Sequence, residues 1–399
     1  MTTVSDVRAW NLGELSNTAA GLRSGAASLA EHALTVINGL KGITTDWEGE
    51  SKDAYAVKAL DLAGEKQKKA ERWSNAAKVL DTAVQQMGLL RNAILNVVDN
   101  ADNKAKYVFG DDGNVELTDS YSKTLTSEQD QKDAEAARSE LESALRSLLA
   151  TADVAGQQYD WQTTNALRGE TDGSRPFQAR VPRSPQAPKG AKEQANKDGS
   201  GPDQYGIDKP DWLGKMRLQG TKSMFELAME AGRIGGDYAP TWLAHFLKGG
   251  GEPMQAPVGA MLKDMPWFRQ GSENTAKAAL ASATKAMPPG YTGPIAFQTD
   301  YSARMGGKPV RPDKIDNPDW FATVGTFSYQ VSGVATPTGN GNYSIAAQTS
   351  VYDYFNFDTT DPKPWPQASD LNKLHRAGNG WGQNFETFGT SNPYQVPYP

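Results

Sequence analysis

Carboxylates, aromatics and an imidazole gather near the C-terminal end of the chain. The run is Tyr352-Asp353-Tyr354-Phe355-Asn356-Phe357-Asp358, with Asp361 soon after and His375 further on. Paired carboxylates with an imidazole are the groups from which acid-base hydrolysis or a carboxylate-held Mg²⁺ site is assembled. Asp353, Asp358 and His375 are therefore the catalytic candidates, and Mg²⁺ is the one cofactor implied if this region is catalytic. The same residues have a structural reading, as a core strand with buried aromatics and acids that cap the next turn. His375, beside Leu374 and before Gly378, also fits a carbonyl-capping residue at a helix end. No GxSxG, GxxxxGK[ST], HExxH or paired CxxC is present. That argues against elbow-type serine hydrolases, P-loop enzymes and zincins, and it leaves the enzyme question open.

The chain contains no cysteine, and its three histidines (His32, His245, His375) stand singly. Disulfides, thiolate chemistry and a His-rich zinc site are thereby removed. Lys plus Arg total 41 against 47 Asp plus Glu, a net charge of −6. With no basic field to gather phosphates, nucleic acid is not an expected partner. No run of 18 apolar residues offers a transmembrane segment, and Asp6 interrupts the place where a secretory signal needs an apolar stretch.

At 399 residues, two or three domains are expected. Leu15, Ala19, Leu22, Ala26, Leu29, Ala33, Val36 and Leu40 recur at alternating steps of four and three, the spacing of a heptad seam. Small residues alternating with leucine let a partner helix approach closely. After a break at Thr44-Thr45-Asp46-Trp47-Glu48-Gly49, a second periodic stretch carries Trp73, Ala76, Leu80, Ala83, Met87, Leu90, Ile94, Val97 and Ala101. A turn signal follows at Asp111-Asp112-Gly113-Asn114, and a third periodic stretch runs from Ala134 to Tyr159. Residues 1–170 thus read as an all-α, elongated antiparallel helical bundle.

A helix, the turn Trp47-Glu48-Gly49, a second helix, and then Tyr107-Val108-Phe109-Gly110-Asp111 form a sequence of features that resembles the WXG family of type VII (ESX) secretion substrates of Gram-positive bacteria, particularly actinobacteria. The resemblance implies a secretion motif made of Trp47, Gly49, Tyr107 and Asp111. It further implies a hairpin that packs on a small helical partner, engagement of the type VII machinery, and export without a signal peptide. If the second helix continues to Asp111, Tyr107 and Asp111 share one helical face and can be read together, without contributing to folding. The second arm is longer than in small single-domain members, and a third long helix follows.

Residues 171–205 hold five prolines and four glycines with almost no aliphatics, the composition of a flexible linker. Residues 206–399 carry six of the ten tryptophans and read as a separate α+β domain with antiparallel hairpins. Met224, Leu227, Ala228, Ala231 and Ile234 suggest one helix face, Trp242 to Leu247 a second helix, and Asn274 to Met287 a third. Alternation through Phe327, Tyr329 and Val331, and again from Tyr343 to Val351, with Asn340-Gly341 between them, predicts a strand pair. Further strands are expected at Pro294–Thr299 and Asn384–Phe388.

The acidic-aromatic cluster is distantly similar to the catalytic stretch of colicin M-like toxins, Mg²⁺-dependent enzymes with an Asp-x-Tyr-Asp sequence, five intervening residues and then His-Arg. With Asp353 in the first place, Phe355 and Asn356 replace Tyr and Asp, and Pro362-Lys363 stands at the His-Arg place. His375-Arg376 lies out of register. The sequence therefore points to a secreted or surface-located effector-like protein. Its alternatives are a secreted binding or structural protein and a cytoplasmic coiled-coil scaffold.

Overall fold

A computed structural model describes residues 2–43, 50–170, 180–182, 205–339, 342–357, 368–378 and 380–398. They form two compact units. One comprises Met1–Arg180, Leu280–Phe297 and Val334–Tyr343; the other comprises Val181–Ala279, Gln298–Gly333 and Ser344–Pro399. Most of the expected linker, and the Asn340-Gly341 turn, lie outside the described residues.

The first unit opens with α1 (Val4–Ala9), started by a capping box in which the Thr3 hydroxyl and the Asp6 carboxylate satisfy each other's backbone N–H. The long helices α2 (Leu12–Ile43) and α3 (Glu50–Asp99) come next. Gly88 lies near Leu12, Gly25 under Trp73, and Arg23 pairs with Asp81, so the two helices run antiparallel. The heptad seam appears as a line of small residues: Ala19, Ala26, Ala33 and Leu40 are buried on α2, and Ala59, Ala63, Ala70 and Ala77 on α3. Leu22, Leu29 and Val36 are only half-buried. A Cβ at Gly25 would overlap the Trp73 ring, which is why a residue of low helix propensity is kept in mid-helix.

Beyond α3, the short α4 (Ala101–Lys106) gives way to two paired strands, β1 (Tyr107–Phe109) and β2 (Val115–Leu117). This corrects the all-α expectation for the N-terminal region. An aromatic and β-branched triplet before an Asp-Asp-Gly turn favours a strand over a continued helix. After α5 (Asp119–Ser122), the 41-residue α6 (Glu128–Arg168) starts on a Ser127–Asp130 capping box and stops at Gly169 in the left-handed conformation. Leu90, Ile94 and Val98 of α3 share a core with Leu145, Leu148, Ala152 and Tyr159 of α6 and with Val4 and Val7 of α1.

Further along the chain, α7 (Trp212–Glu230), α8 (Ala239–Lys248), β3 (Met254–Gln255) and α9 (Val258–Asp264) belong to the second unit, and α10 (Pro266–Ala286) begins in it and passes into the first at Leu280. The strands β4 (Ile295–Gln298), β5 (Arg304–Met305) and β6 (Lys308–Pro309) follow, then α11 (Pro318–Val324), β7 (Ser328–Gly339), β8 (Asn342–Phe355), α12 (Ala368–Ala377), β9 (Phe385–Thr390) and β10 (Tyr394–Val396). The main sheet has the order β3-β9-β8-β7-β4, with β10 also on β8. It is mixed, because β3 pairs parallel with β9 while β8 pairs antiparallel with β9 and β10. Between Ser350↔Thr390 and Ala347↔Tyr394 the β9–β10 side carries one extra residue, a bulge secured by Ser391, whose hydroxyl accepts the Thr349 N–H at 3.1 Å.

One carboxylate organises the start of α8. Asp319, at the beginning of α11, accepts the backbone N–H groups of Asp237, Tyr238 and Ala239 at 2.8, 3.0 and 2.7 Å. It fills the role that a local capping side chain plays elsewhere, since α8 has none of its own. Gly236, at φ +106°, leaves room for that carboxylate.

Buried polar side chains on the helices of the first unit serve its C-terminal segments. Thr151 on α6 is fully buried, and its hydroxyl accepts the Ala296 N–H at 3.0 Å; Gln86 on α3 accepts the Thr292 N–H at 2.9 Å. Thr151→Val is expected to strand the Ala296 N–H and cost about 1–3 kcal/mol. Gly25→Leu, which forces the Trp73 ring aside, should cost a comparable amount, about 1–3 kcal/mol. Chemical denaturation of each full-length variant checks both values.

Candidate functional site

Trp47 and Gly49 lie outside the described residues. Tyr107 and Asp111 are described, and they do not share a helical face, because α4 ends at Lys106 and Tyr107 already has an extended backbone. The Tyr107 ring is buried in the core of the first unit, meeting Phe109 and Tyr121 edge-on at centroid distances of 6.5 and 6.3 Å. Burial pushes its phenol above the ordinary range. Phe109, two residues along the strand, packs on the same core.

Asp111 sits in the turn between β1 and β2 and holds the beginning of the chain. Its carboxylate accepts the Ser5 N–H at 2.7 Å, and its backbone carbonyl accepts the Val4 N–H at 3.0 Å. The hydrogen bonds from Ser5 draw its carboxyl below the usual range. The other end of α1 is fastened by Arg8, which makes a two-pronged contact with Asp99 at 2.9 and 2.7 Å; with Lys104 adding a third contact, Asp99 is lowered to about 2. Asp111 therefore holds the N-terminus and Tyr107 belongs to the core of the unit, structural roles that the sequence reading did not assign to them.

In the second unit, Asp353 is buried on β8 opposite Thr387 of β9. Opposite residues of an antiparallel pair project to the same side of the sheet. On that side Thr387 receives the Trp242 indole N–H at 3.1 Å, and Phe355 stacks on Phe385 at 4.9 Å. Phe355 and Phe357 are both fully buried, within the core formed by α8, α12 and the sheet. On the other side Tyr352 donates to Glu386 at 3.3 Å, and burial beside that carboxylate raises its phenol.

His375, on α12, is buried. Its Nδ1 accepts the Asn384 backbone N–H at 3.2 Å, its carbonyl accepts from Gly206 and Gly378, and its ring faces Tyr205 at 5.5 Å. Accepting at Nδ1 places the proton of the neutral ring on Nε2. Asp358 lies outside the described residues. Among the described residues no three His, Asp or Glu side chains stand where they could hold a metal ion.

The sequence reading missed a cavity of about 460 Å³ between α7 and α12. It is lined by Asp208, Arg217, Asp370 and Lys373 together with Leu218 and Thr221. Asp208 is engaged at its rim, accepting both Nε and Nη2 of Arg376 at 3.0 Å. The mixture of charges could hold a small zwitterionic or polar group, but no nucleophile and base stand together among these residues. The signal for this site was weak in sequence, because its charges come from segments more than 150 residues apart.

Comparison of the chain with family models, with curated proteins and with solved structures returns no match.

The Asp111 geometry fixes a pH dependence. A carboxyl whose native pKa lies below the unfolded 3.8 adds stability fully above that value, and the contribution disappears as pH falls through the native pKa. Asp111→Asn is therefore expected to lower the melting temperature at pH 7. The gap to the parent protein should narrow below pH 3.8 and close in stronger acid, as thermal unfolding across a pH series would show.

Proposed function

We propose that this protein is an effector-like substrate of a type VII secretion system, with α2 and α3 as the module for export and pairing and the C-terminal region acting outside the cytoplasm. The observation that carries this reading is the antiparallel pair α2–α3, with its seam of buried alanines and its joining segment at the Trp47-Glu48-Gly49 position. A seam of small residues gives a thin two-helix layer, which leaves apolar side chains of both helices available to a further helical partner. Leu15 and Leu34 on α2, with Tyr55, Val57, Leu60 and Leu62 on α3, are exposed.

For the C-terminal region, a binding role is the better supported of the two readings. The His375 ring nitrogen Nδ1 is already engaged by a backbone N–H, and Tyr352, Phe355 and Phe357 of the acidic cluster are buried. A colicin M-like hydrolase is the second reading, with Mg²⁺ as its cofactor and Asp353, Asp358 and His375 as its candidate residues.

Export is measured as extracellular against cell-associated protein in a host with a working type VII system. Trp47→Ala and Tyr107→Ala should each lower the extracellular fraction. Tyr107→Ala should also reduce the melting temperature, because its ring is buried. Leu34→Ser combined with Leu60→Ser should lower export while leaving the melting temperature within about 1–2 °C, since both side chains are exposed. Full export of Trp47→Ala and of the double variant would remove the α2–α3 pair from the export reading, and retention of the parent protein in the cell would favour the cytoplasmic scaffold.

A further inference from the structure

The helix α7 is apolar on two opposite faces. At about 100° per residue, Trp212, Met216 and Leu227 fall within an arc of about 60°, with Leu213 and Met224 at one border of the stripe. Leu218 and Phe225 lie roughly half a turn away and are buried in the core with α8 and α12. The outer stripe is open: Trp212 is 66%, Met216 60% and Leu227 63% exposed. Ile207, just ahead of the helix, is exposed as well. The core already fixes the helix through its inner face, so the outer face is not needed for folding.

The charges around the tryptophan end of this stripe are mainly positive. Asp208 is bound to Arg376, and Asp211 caps the helix by accepting the Gly214 N–H at 2.7 Å. Lys209, Lys215 and Arg217 are exposed and form no ion pair among the described residues. At this end three cations border an indole, a thioether and two branched aliphatics, whereas the acids Glu226 and Glu230 lie at the far end of the helix. Tryptophan with methionine and leucine, flanked by lysine and arginine, is the composition of a helix that lies in a membrane interface. The net charge of the whole chain is −6, so attraction to an anionic surface must come from a local patch such as this one.

We propose that the outer face of α7, with Ile207 and the cations Lys209, Lys215 and Arg217, is a docking surface for an anionic lipid bilayer. The N-terminal half of the helix meets the bilayer, with Trp212, Leu213 and Met216 entering the headgroup region and the cations at the phosphate level, while the end carrying Glu226 and Glu230 tilts away. No helix in the described residues is long and apolar enough to cross a membrane, and this mode of contact requires none. The inference is independent of the export reading, since it concerns the second unit alone.

The test is co-sedimentation of the full chain with vesicles of phosphatidylcholine alone and of phosphatidylcholine containing phosphatidylglycerol. Binding is expected only to the second kind, falling as salt is raised. Trp212→Ser combined with Met216→Ser should weaken it about tenfold or more, and so should Lys215→Glu combined with Arg217→Glu. Circular dichroism should show both variants folded, because all four side chains are exposed. Absence of binding to either vesicle, or binding unchanged in the apolar double variant, overturns the proposal. So does a self-associated state in sedimentation velocity that this variant abolishes while vesicle binding is unaffected, which would assign the stripe to a second copy of the chain.

Discussion

A hydroxyl and a carboxamide buried among helices govern how the first unit is put together. Thr151 and Gln86 are the acceptors for the Ala296 and Thr292 N–H groups, which come from a segment 145 and 206 residues away in sequence. Each of these side chains would be costly to bury without its partner, and so would each backbone N–H. The helices and the 280–297 segment therefore satisfy one another. Tyr291 reinforces the same junction: its ring packs against the α3–α6 core, and its hydroxyl donates to the Pro294 carbonyl at 2.8 Å. The polar interior of the unit is completed only when the helices and this segment are both present, and Val334 of the third stretch adds apolar packing against Ala150, Val154 and Ala296.

Carboxylates elsewhere in the molecule are used in the same way, as acceptors for backbone N–H groups that lack a partner within their own element. Asp111 serves α1 from a turn more than 100 residues away, Asp319 serves the first residues of α8, and Asp211 serves α7 from the adjoining position. A carboxylate at a helix start gains from both hydrogen bonding and the helix dipole. This use changes the meaning of residues that, by type and spacing alone, suggest chemistry. Asp111 belongs to a short motif, yet its oxygens are committed to the N-terminus. Asp208 stands beside a cavity, yet it is held by Arg376.

The apolar residues divide along similar lines. In α2 and α3 the small residues are covered by the helix pair itself, while several larger ones remain outside. In α7 the leucine and phenylalanine on one face hold the helix in its core, and a tryptophan, two methionines and two leucines face outward. A surface that combines order with exposed apolar area is suited to recognition, because binding it does not require the helix to fold first. Both faces belong to helices anchored from behind, the arrangement expected of docking elements.

Much of this architecture was legible in the residues. The heptad spacing from Leu15 to Leu40 marked α2, the periodicity from Trp73 to Ala101 marked α3, and the Asp111-to-Asn114 run marked a turn where the chain does turn. The strands near Ile295 and Phe385 and the helix ending in Lys248-Gly249 also followed from local pattern, since periodicity and turn chemistry act over a few residues. Two-residue strands such as β3 and β5 had no pattern to show, and α10 begins at Pro266, eight residues before the expected start, because a proline that opens a helix also looks like a break. Met224 and Leu227 looked like the buried face of α7, but Leu218 and Phe225 are buried instead. With apolar residues on both sides, periodicity alone could not choose. The sequence by itself determined where the long helices and the longer strands form, because those preferences reside in neighbouring residues. Which apolar face is covered, and that Tyr107 and Asp111 secure the N-terminus, were decided only by the tertiary structure, since burial and backbone pairing depend on segments distant along the chain.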